Sequence, residues 1–255
     1  MKILLSGALG HMGRAVEEAL RDTEFTISAG IDPGPVTTAP FPVFAGIAPD
    51  LPPADMAVDF SCPALLTELL PYATAHQLPL ILCTTGYDDA QLQSIREAAH
   101  HIPLFQASNI SLGIALLKRL AQLAQAFLPD ADIEIIETHH RRKADAPSGT
   151  AITLYEALSE GQAHPAVYGR HGRDSRRQPG EIGLHAVRGG TVTGEHEILF
   201  LSEGERISLR HTMETRAALA QSILPILRFM AVQQPGYYTM DHLVSQMTAG
   251  AAVST

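Results

Sequence analysis

Short unbroken apolar blocks recur through the first hundred positions, separated by stretches whose apolar residues return with helical period. Residues 2–6 (Lys-Ile-Leu-Leu-Ser) read as a strand buried on both faces, residues 12–21 as a helix and residues 25–31 as a second strand. Together they form a βαβ unit, the start of a parallel sheet. Further apolar runs at 56–60, 80–83 and 102–105 alternate with helical patterns at 64–75 and 89–100, as an open α/β sheet with covered faces requires. Residues 33–53 are rich in Pro, Gly and Thr and read as loop with room for one short strand.

Past Asn109 the pattern changes. A long helix is expected over 112–127, an alternating strand over 132–138 and a helix over 150–158 for which Ser148 is the N-cap candidate. A polar loop carrying His171, Arg173, Arg176 and Arg177 reads as mobile and solvated. Antiparallel-looking strands follow, clearest in a hairpin whose arms, 191–201 and 206–211, flank Ser202-Glu203-Gly204-Glu205. Residues 216–230 look helical and return to the first domain, and 249–255 read as a loose tail. The expected fold is therefore α/β: a Rossmann-like dinucleotide-binding domain at 1–110, completed by 217–255, plus an α+β domain at 111–216 with a mixed sheet.

Composition narrows the class. Of 255 residues, 45% are hydrophobic, enough for a substantial core. Asp and Glu outnumber Lys and Arg by 27 to 18, for a net charge of −9, which argues against a general nucleic-acid binder. Cys62 and Cys83 end apolar runs, where a cysteine behaves as a small buried hydrophobe, and this fits a reducing cytoplasm without disulfides. No run has membrane-span length and no signal-peptide pattern opens the chain, so a soluble cytoplasmic protein is expected.

Two constellations carry chemistry. Gly7-Ala8-Leu9-Gly10-His11-Met12-Gly13 follows the first strand and opens the first helix, with glycines spaced by three for close approach to a pyrophosphate. Asp32, at the end of the second strand, is placed to take the adenosine ribose hydroxyls. No Arg or Lys adjoins Asp32, which favours NADH over NADPH, although His11 or Arg14 has the charge to serve a 2′-phosphate. Loops Cys83-Thr84-Thr85-Gly86 and Ala107-Ser108-Asn109-Ile110 follow later strands and should line the same crevice.

The second constellation is Glu137-Thr-His-His-Arg-Arg-Lys-Ala-Asp-Ala-Pro-Ser-Gly-Thr-Ala151. It gathers His139, His140, Arg141, Arg142 and Lys143 directly before a helix start, whose unpaired N–H groups attract anions. This reads as a pocket for a small, multiply anionic molecule with a proton donor beside it. Period-two alternation sends His139 and His140 to opposite faces, and His139 is the better candidate for chemistry. Arg141 and Arg142 read as solvated or subunit-contact residues. A metal site is not expected, because the neighbouring cations repel a divalent ion and no Cys or carboxylate stands at ligand spacing.

That segment resembles the dihydrodipicolinate reductase signature E-x-H-H-x-x-K-x-D-A-P-S-G-T-A. The glycine loop, the Thr-Thr-Gly turn, Ser-Asn-Ile-Ser-Leu-Gly at 108–113 and Gly-Glu-Ile-Gly-Leu-His-Ala-Val-Arg-Gly-Gly at 180–190 agree with the family in order and approximate spacing. The resemblance implies NAD(P)H-dependent reduction of 4-hydroxy-tetrahydrodipicolinate to tetrahydrodipicolinate in diaminopimelate and lysine biosynthesis. It implies His139 as proton donor, Lys143 as a second catalytic group, and His140, Gly149 and Thr150 as contacts to a small dicarboxylate substrate. It further implies cofactor contacts at Gly7, Ala8, Leu9, Gly10, His11, Met12, Asp32, Cys83, Thr84, Thr85, Ala107, Ser108, Asn109 and Ile110, and a homotetramer built through the second domain. Cys83 stands where the family typically has Gly, and Ile110 where it has Phe. Two other functions fit less fully: a related two-domain dehydrogenase for another small anionic substrate, and an NAD-sensing protein without chemistry. The second has no use for His139 and Lys143 beside a carboxylate cradle.

Overall fold

The computed structural model describes residues 1–34, 39–161 and 164–252. They form two compact units, Met1–Ile110 with Arg216–Thr255, and Ser111–Thr215.

The first unit is built on a seven-stranded, wholly parallel sheet. Its strands are β1 (Lys2–Ser6), β2 (Thr26–Ile31), β3 (Val43–Phe44), β4 (Met56–Asp59), β5 (Leu80–Leu82), β6 (Pro103–Gln106) and the late β12 (Gly236–Tyr238), in spatial order β12-β6-β5-β4-β1-β2-β3. Ile3, Leu4 and Leu5 are all fully buried, which explains an apolar run without alternation: helices cover both faces. On one face α2 (Leu66–Ala75) and α3 (Asp89–Ala98) enclose Leu4, Ala57, Leu80 and Leu104. α3 starts with a reciprocal cap, in which Asp88 accepts the Gln91 N–H at 2.8 Å while the Gln91 side chain accepts that of Asp88 at 3.1 Å. Elsewhere α1 (His11–Ala19) packs against α6 (Arg216–Gln221) and α7 (Ile223–Met230). Phe229 of α7 meets Phe105 of β6 edge to face, with centroids 6.2 Å apart.

β1 is the first strand of the chain but lies between β2 and β4, so the strand order reverses there. Beyond the carboxyl ends of β1 and β4 this reversal opens a crevice, the usual ligand position in such sheets. Two features differ from the sequence expectation. The chain is helical over α8 (Met240–Ala252), and the remainder of the expected loose tail, 253–255, lies outside the described residues. β12 joins the sheet edge through three residues, too few for any period to register.

The second unit carries a five-stranded mixed sheet in the order β11-β10-β7-β9-β8. The strands are β7 (Asp132–His139), β8 (Ala166–Tyr168), β9 (Ile182–Arg188), β10 (Gly194–Ser202) and β11 (Glu205–Met213). α4 (Leu112–Phe127) and α5 (Gly149–Ser159) cover one face, burying Ile133, Ile135, Leu184, Ile198 and Phe200 against Leu117 and Leu154. The hairpin β10–β11 turns through only Glu203 and Gly204, since Ser202 still pairs with Glu205. β9 runs parallel to β7, contrary to the antiparallel expectation. Alternation records which face a residue takes and says nothing of direction. Here α5 carries the chain back, so that β8 and β9 run the same way as β7.

The Arg-rich segment also differs. Arg173 and Arg176 are exposed, but Arg177 reaches into the structure, with Nε 2.8 Å from Asp132 and further bonds to Glu134 and to the Ile133 and Glu181 carbonyls. Arg170 joins Glu134 at 2.7 Å and Glu181 at 2.6 Å. The segment is therefore pinned at both ends.

Candidate active site

In the first unit the expected cofactor residues gather at the carboxyl ends of β1, β2, β5 and β6. Gly7 has φ of 71°, and a Cβ there would come 2.5 Å from the Phe60 carbonyl oxygen; one at Gly13 would come 2.2 Å from the Gly7 oxygen. Only glycine allows this turn. α1 begins after Gly10 with no side-chain cap, which leaves its first N–H groups directed at whatever enters the crevice. Asp32 binds this turn directly: Oδ2 accepts the Leu9 N–H at 3.0 Å and Oδ1 that of Gly34 at 2.9 Å. A carboxylate oxygen has a second lone pair, so both remain able to accept from a ribose diol. His11 and Gly10 are exposed, Ala8 is buried, and Leu9 and Met12 lie between. Thr84, Ala107 and Ile110 are buried, Cys83 and Asn109 half-buried, Thr85 and Ser108 exposed.

The sequence reading missed Asp59, the last residue of β4. It is buried and accepts bonds from the Ser61 N–H at 3.1 Å, the Ser61 hydroxyl at 2.5 Å and the Tyr87 hydroxyl at 3.2 Å. Burial and this carboxylate push the Tyr87 hydroxyl and the Cys83 thiol well above their usual ranges, so Cys83 stays a neutral thiol. An acid ending an otherwise apolar strand was the available signal.

In the second unit β7 delivers His139 at its last position, 8% exposed. Its Nδ1 lies 2.6 Å from Glu137 Oε2. The following turn closes when the Lys143 N–H donates to the His140 carbonyl at 3.1 Å, and Arg141 and Arg142 are exposed on it. His140 is half-buried, its Nδ1 lacking a hydrogen-bond partner among the described residues. Ser148 caps α5 by accepting the Ala151 N–H at 3.2 Å. Lys143 Nζ is 2.8 Å from Asp145 Oδ1, and the Asp145 carboxylate also takes a bond from the Gly149 N–H. Those two contacts hold its carboxyl below the usual value. The chain's own carboxylate thus sits where an anionic ligand would meet the ammonium and the helix start. A Cβ at Gly149 would meet nothing within 4 Å, so that approach is open, and Thr150 is half-buried beside it.

Two residues of this unit escaped the sequence reading. Arg188, at the end of β9, forks onto both Glu137 oxygens at 2.7 Å. His196 of β10, 4% exposed, lies with its ring 5.2 Å from that of His139 and its Nε2 3.3 Å from the Ser148 hydroxyl. Burial first, then the neighbouring His139, lowers the His196 pKa to about 4. His196 is neutral at pH 7. The unfolded chain binds a proton near pH 6.5 that the folded chain refuses until about pH 4, so stability falls as pH drops through that window, by roughly 3 kcal/mol at most. Thermal melts between pH 7 and pH 5 should fall less steeply for His196→Gln than for the wild type. Equal slopes would remove the assignment.

Among the described residues no group of three or more His, Cys, Asp or Glu is arranged to hold a metal. The family models for dihydrodipicolinate reductase match the chain in both parts, the N-terminus over residues 1–110 and the C-terminus over 113–244.

The chain belongs to the dihydrodipicolinate reductase family.

Curated relatives agree along the whole length. The 4-hydroxy-tetrahydrodipicolinate reductase of Clostridium novyi (strain NT) is 40% identical over 247 residues, 95% of this chain and 98% of the relative. That of Caldanaerobacter subterraneus subsp. tengcongensis is 36% identical, over 96% of this chain and 99% of its own. A solved dihydrodipicolinate reductase from Paenisporosarcina sp. TG-14, described as dipicolinate-bound, superposes with a TM-score of 0.79 at 23% identity, covering 94% of this chain and 97% of that one. Family and fold together assign the reductase chain a nicotinamide dinucleotide. Its own residues fit that group: glycines at 7 and 13 let the turn after β1 close against the Phe60 backbone and against itself, and the start of α1 has no side-chain cap, so its N–H groups are left for a pyrophosphate.

Proposed function

We propose that the chain reduces 4-hydroxy-tetrahydrodipicolinate to tetrahydrodipicolinate with NAD(P)H, in the diaminopimelate and lysine pathway; one hydride and one proton are added and the 4-hydroxyl is lost as water. The observation that carries this reading is the buried His139, paired at 2.6 Å with Glu137, on the same strand-turn-helix segment as Lys143 and the Ser148-capped start of α5. A dicarboxylate is what such a segment suits. Lys143 and the N–H groups of Gly149 and Thr150 hold one carboxylate in place of Asp145, and His140 contacts the substrate beside them. His139 supplies the proton from Nε2 to the substrate atom that becomes electron-rich. Residues 7–12, Asp32 and the loops at 83–85 and 107–110 would hold the dinucleotide, whose nicotinamide would supply the hydride.

Substrate generated in situ with NADH tests the reading by absorbance. Cofactor oxidation no faster than in enzyme-free controls would remove it. The first unit, Met1–Ile110 with the return from Arg216, serves as dinucleotide domain and the second as substrate and assembly domain. We place the protein in the cytoplasm; among the described residues no helix is long and apolar enough to cross a membrane. The assembly is a homotetramer through the sheet of the second unit, where Val187 is exposed and Leu199 only half-buried on the face away from α4 and α5. Light scattering giving a monomer at micromolar concentration would overturn that.

NADH is the preferred cofactor because Asp32 places a negative charge where NADPH carries its 2′-phosphate. Asp32→Ala should weaken NADH binding and move preference toward NADPH, with exposed Arg14 and His11 nearby to receive the phosphate. Fluorescence titration with both cofactors checks it, and an unchanged ratio sinks the idea.

A further inference from the structure

Glu137 is 1% exposed, and both of its carboxylate oxygens are paired. One oxygen meets His139 Nδ1 at 2.6 Å and Arg188 at 2.7 Å; the other meets Arg188 at 2.7 Å and accepts the Ser148 N–H at 2.9 Å. Arg188 also donates to the Asp145 carbonyl at 2.6 Å, and the Gly189 N–H donates to the His139 carbonyl at 3.0 Å. A buried carboxylate is costly unless paired, and this one is paired on both oxygens.

We propose that Glu137 is a positioning residue for the reaction: clamped by Arg188, it receives the His139 Nδ1–H, fixes the plane of that imidazole and ties it to the backbone that starts α5. The proposal rests on the reading of His139 as proton donor. When the Nε2–H bond of the imidazolium breaks and the proton passes to substrate, the neutral ring is left as the Nδ1–H tautomer. That tautomer is the one Glu137 holds, so no proton need be rearranged within the site. Arg188 neutralises Glu137 and keeps it ionised. Burial alone would raise its carboxyl, but the bonds from Arg188, His139 and Ser148 outweigh burial and hold it below the usual value. Nε2 itself stays uncovered because position 194 is glycine; a Cβ there would lie 3.0 Å from it. The assignment also gives a purpose to Gly180–Gly190, whose match to the family in sequence carried no role. Its Arg188 clamps Glu137 on one face of the sheet, while its His185 meets Glu134 at 2.6 Å on the other.

The titratable and charged groups around the pair are Arg188 from β9, His196 from β10 with His211 opposite it on β11, and Lys143 and Asp145 from the turn before α5. None of the others touches His139 Nδ1 among the described residues.

The test is Glu137→Gln, which keeps the shape and removes the charge. We expect kcat to fall about 10- to 100-fold with a smaller change in KM, and the alkaline limb of the kcat profile to move to lower pH. Long-range ¹H–¹⁵N spectra, with His139 assigned by its absence from His139→Asn, should show Nδ1–H in the neutral wild type and mainly Nε2–H in the variant. A variant with wild-type kcat and an unmoved limb overturns the proposal, as does Nε2–H in the neutral wild type. If the variant does not fold, the wild-type spectrum decides alone. Full activity of His139→Ala would remove the donor reading itself, whereas an inactive His139→Ala beside a fully active Glu137→Gln removes only the role of Glu137.

Discussion

His139→Ala is expected to lower kcat by roughly 10²-fold or more while leaving NADH affinity unchanged, because a positioned acid contributes about that much to a proton transfer. The residues proposed to hold the cofactor all lie in the first unit and His139 in the second, so the substitution leaves the glycine turn and Asp32 in place. It does remove the partner of a buried carboxylate. Glu137 keeps three other bonds, two from Arg188 and one from the Ser148 N–H, and so remains satisfied. The loss should therefore appear in turnover rather than in folding. Single-turnover measurement at saturating NADH, beside a thermal melt, separates the two. Wild-type turnover by the variant would mean that the proton comes from elsewhere.

Lys143→Ala should lower kcat by a comparable factor of roughly 10² or more and raise KM as well, since one cation both binds a carboxylate and stabilises charge developing nearby. It is one of three lysines in the chain, and its ammonium is held 2.8 Å from Asp145. In the proposed binding mode the substrate takes that ammonium and the Gly149 N–H from Asp145. Without the lysine, Asp145 loses its cation, keeps the Gly149 N–H and repels an incoming dianion, so KM rises further than the lost attraction alone would raise it. The check is steady-state kinetics across substrate concentration, with inhibition by pyridine-2,6-dicarboxylate as a binding readout. Unchanged inhibition together with unchanged kcat would exclude Lys143 from the site.

Much of the candidate site was legible because its parts are local. The glycines at 7, 10 and 13 lie in one turn, and the segment from Glu137 to Ala151 contains His139, Lys143, the Ser148 cap and the helix start within fifteen residues. Capping and turn chemistry act over three or four positions, so they leave a pattern in the chain. Asp32 was found through its distance from a recognisable turn. By contrast, Arg188 lies 51 residues from the carboxylate it clamps, and His196 lies 48 from the hydroxyl it meets. Each is one polar residue in an alternating strand, indistinguishable there from a solvated side chain. Arg177, in the loop before β9, was misread because the charges that pin it lie far back in the chain, on Asp132 and Glu134 of β7.

The amino-acid order thus determined most of the elements, the parallel first sheet and the short motifs of the candidate site, because periodicity, capping and glycine geometry are properties of neighbouring residues. Tertiary structure decided which strand lies beside β7 and in which direction. That pairing brings Arg188 and His196 to Glu137 and His139, and pairing between strands far apart in sequence depends on the packing of the whole sheet.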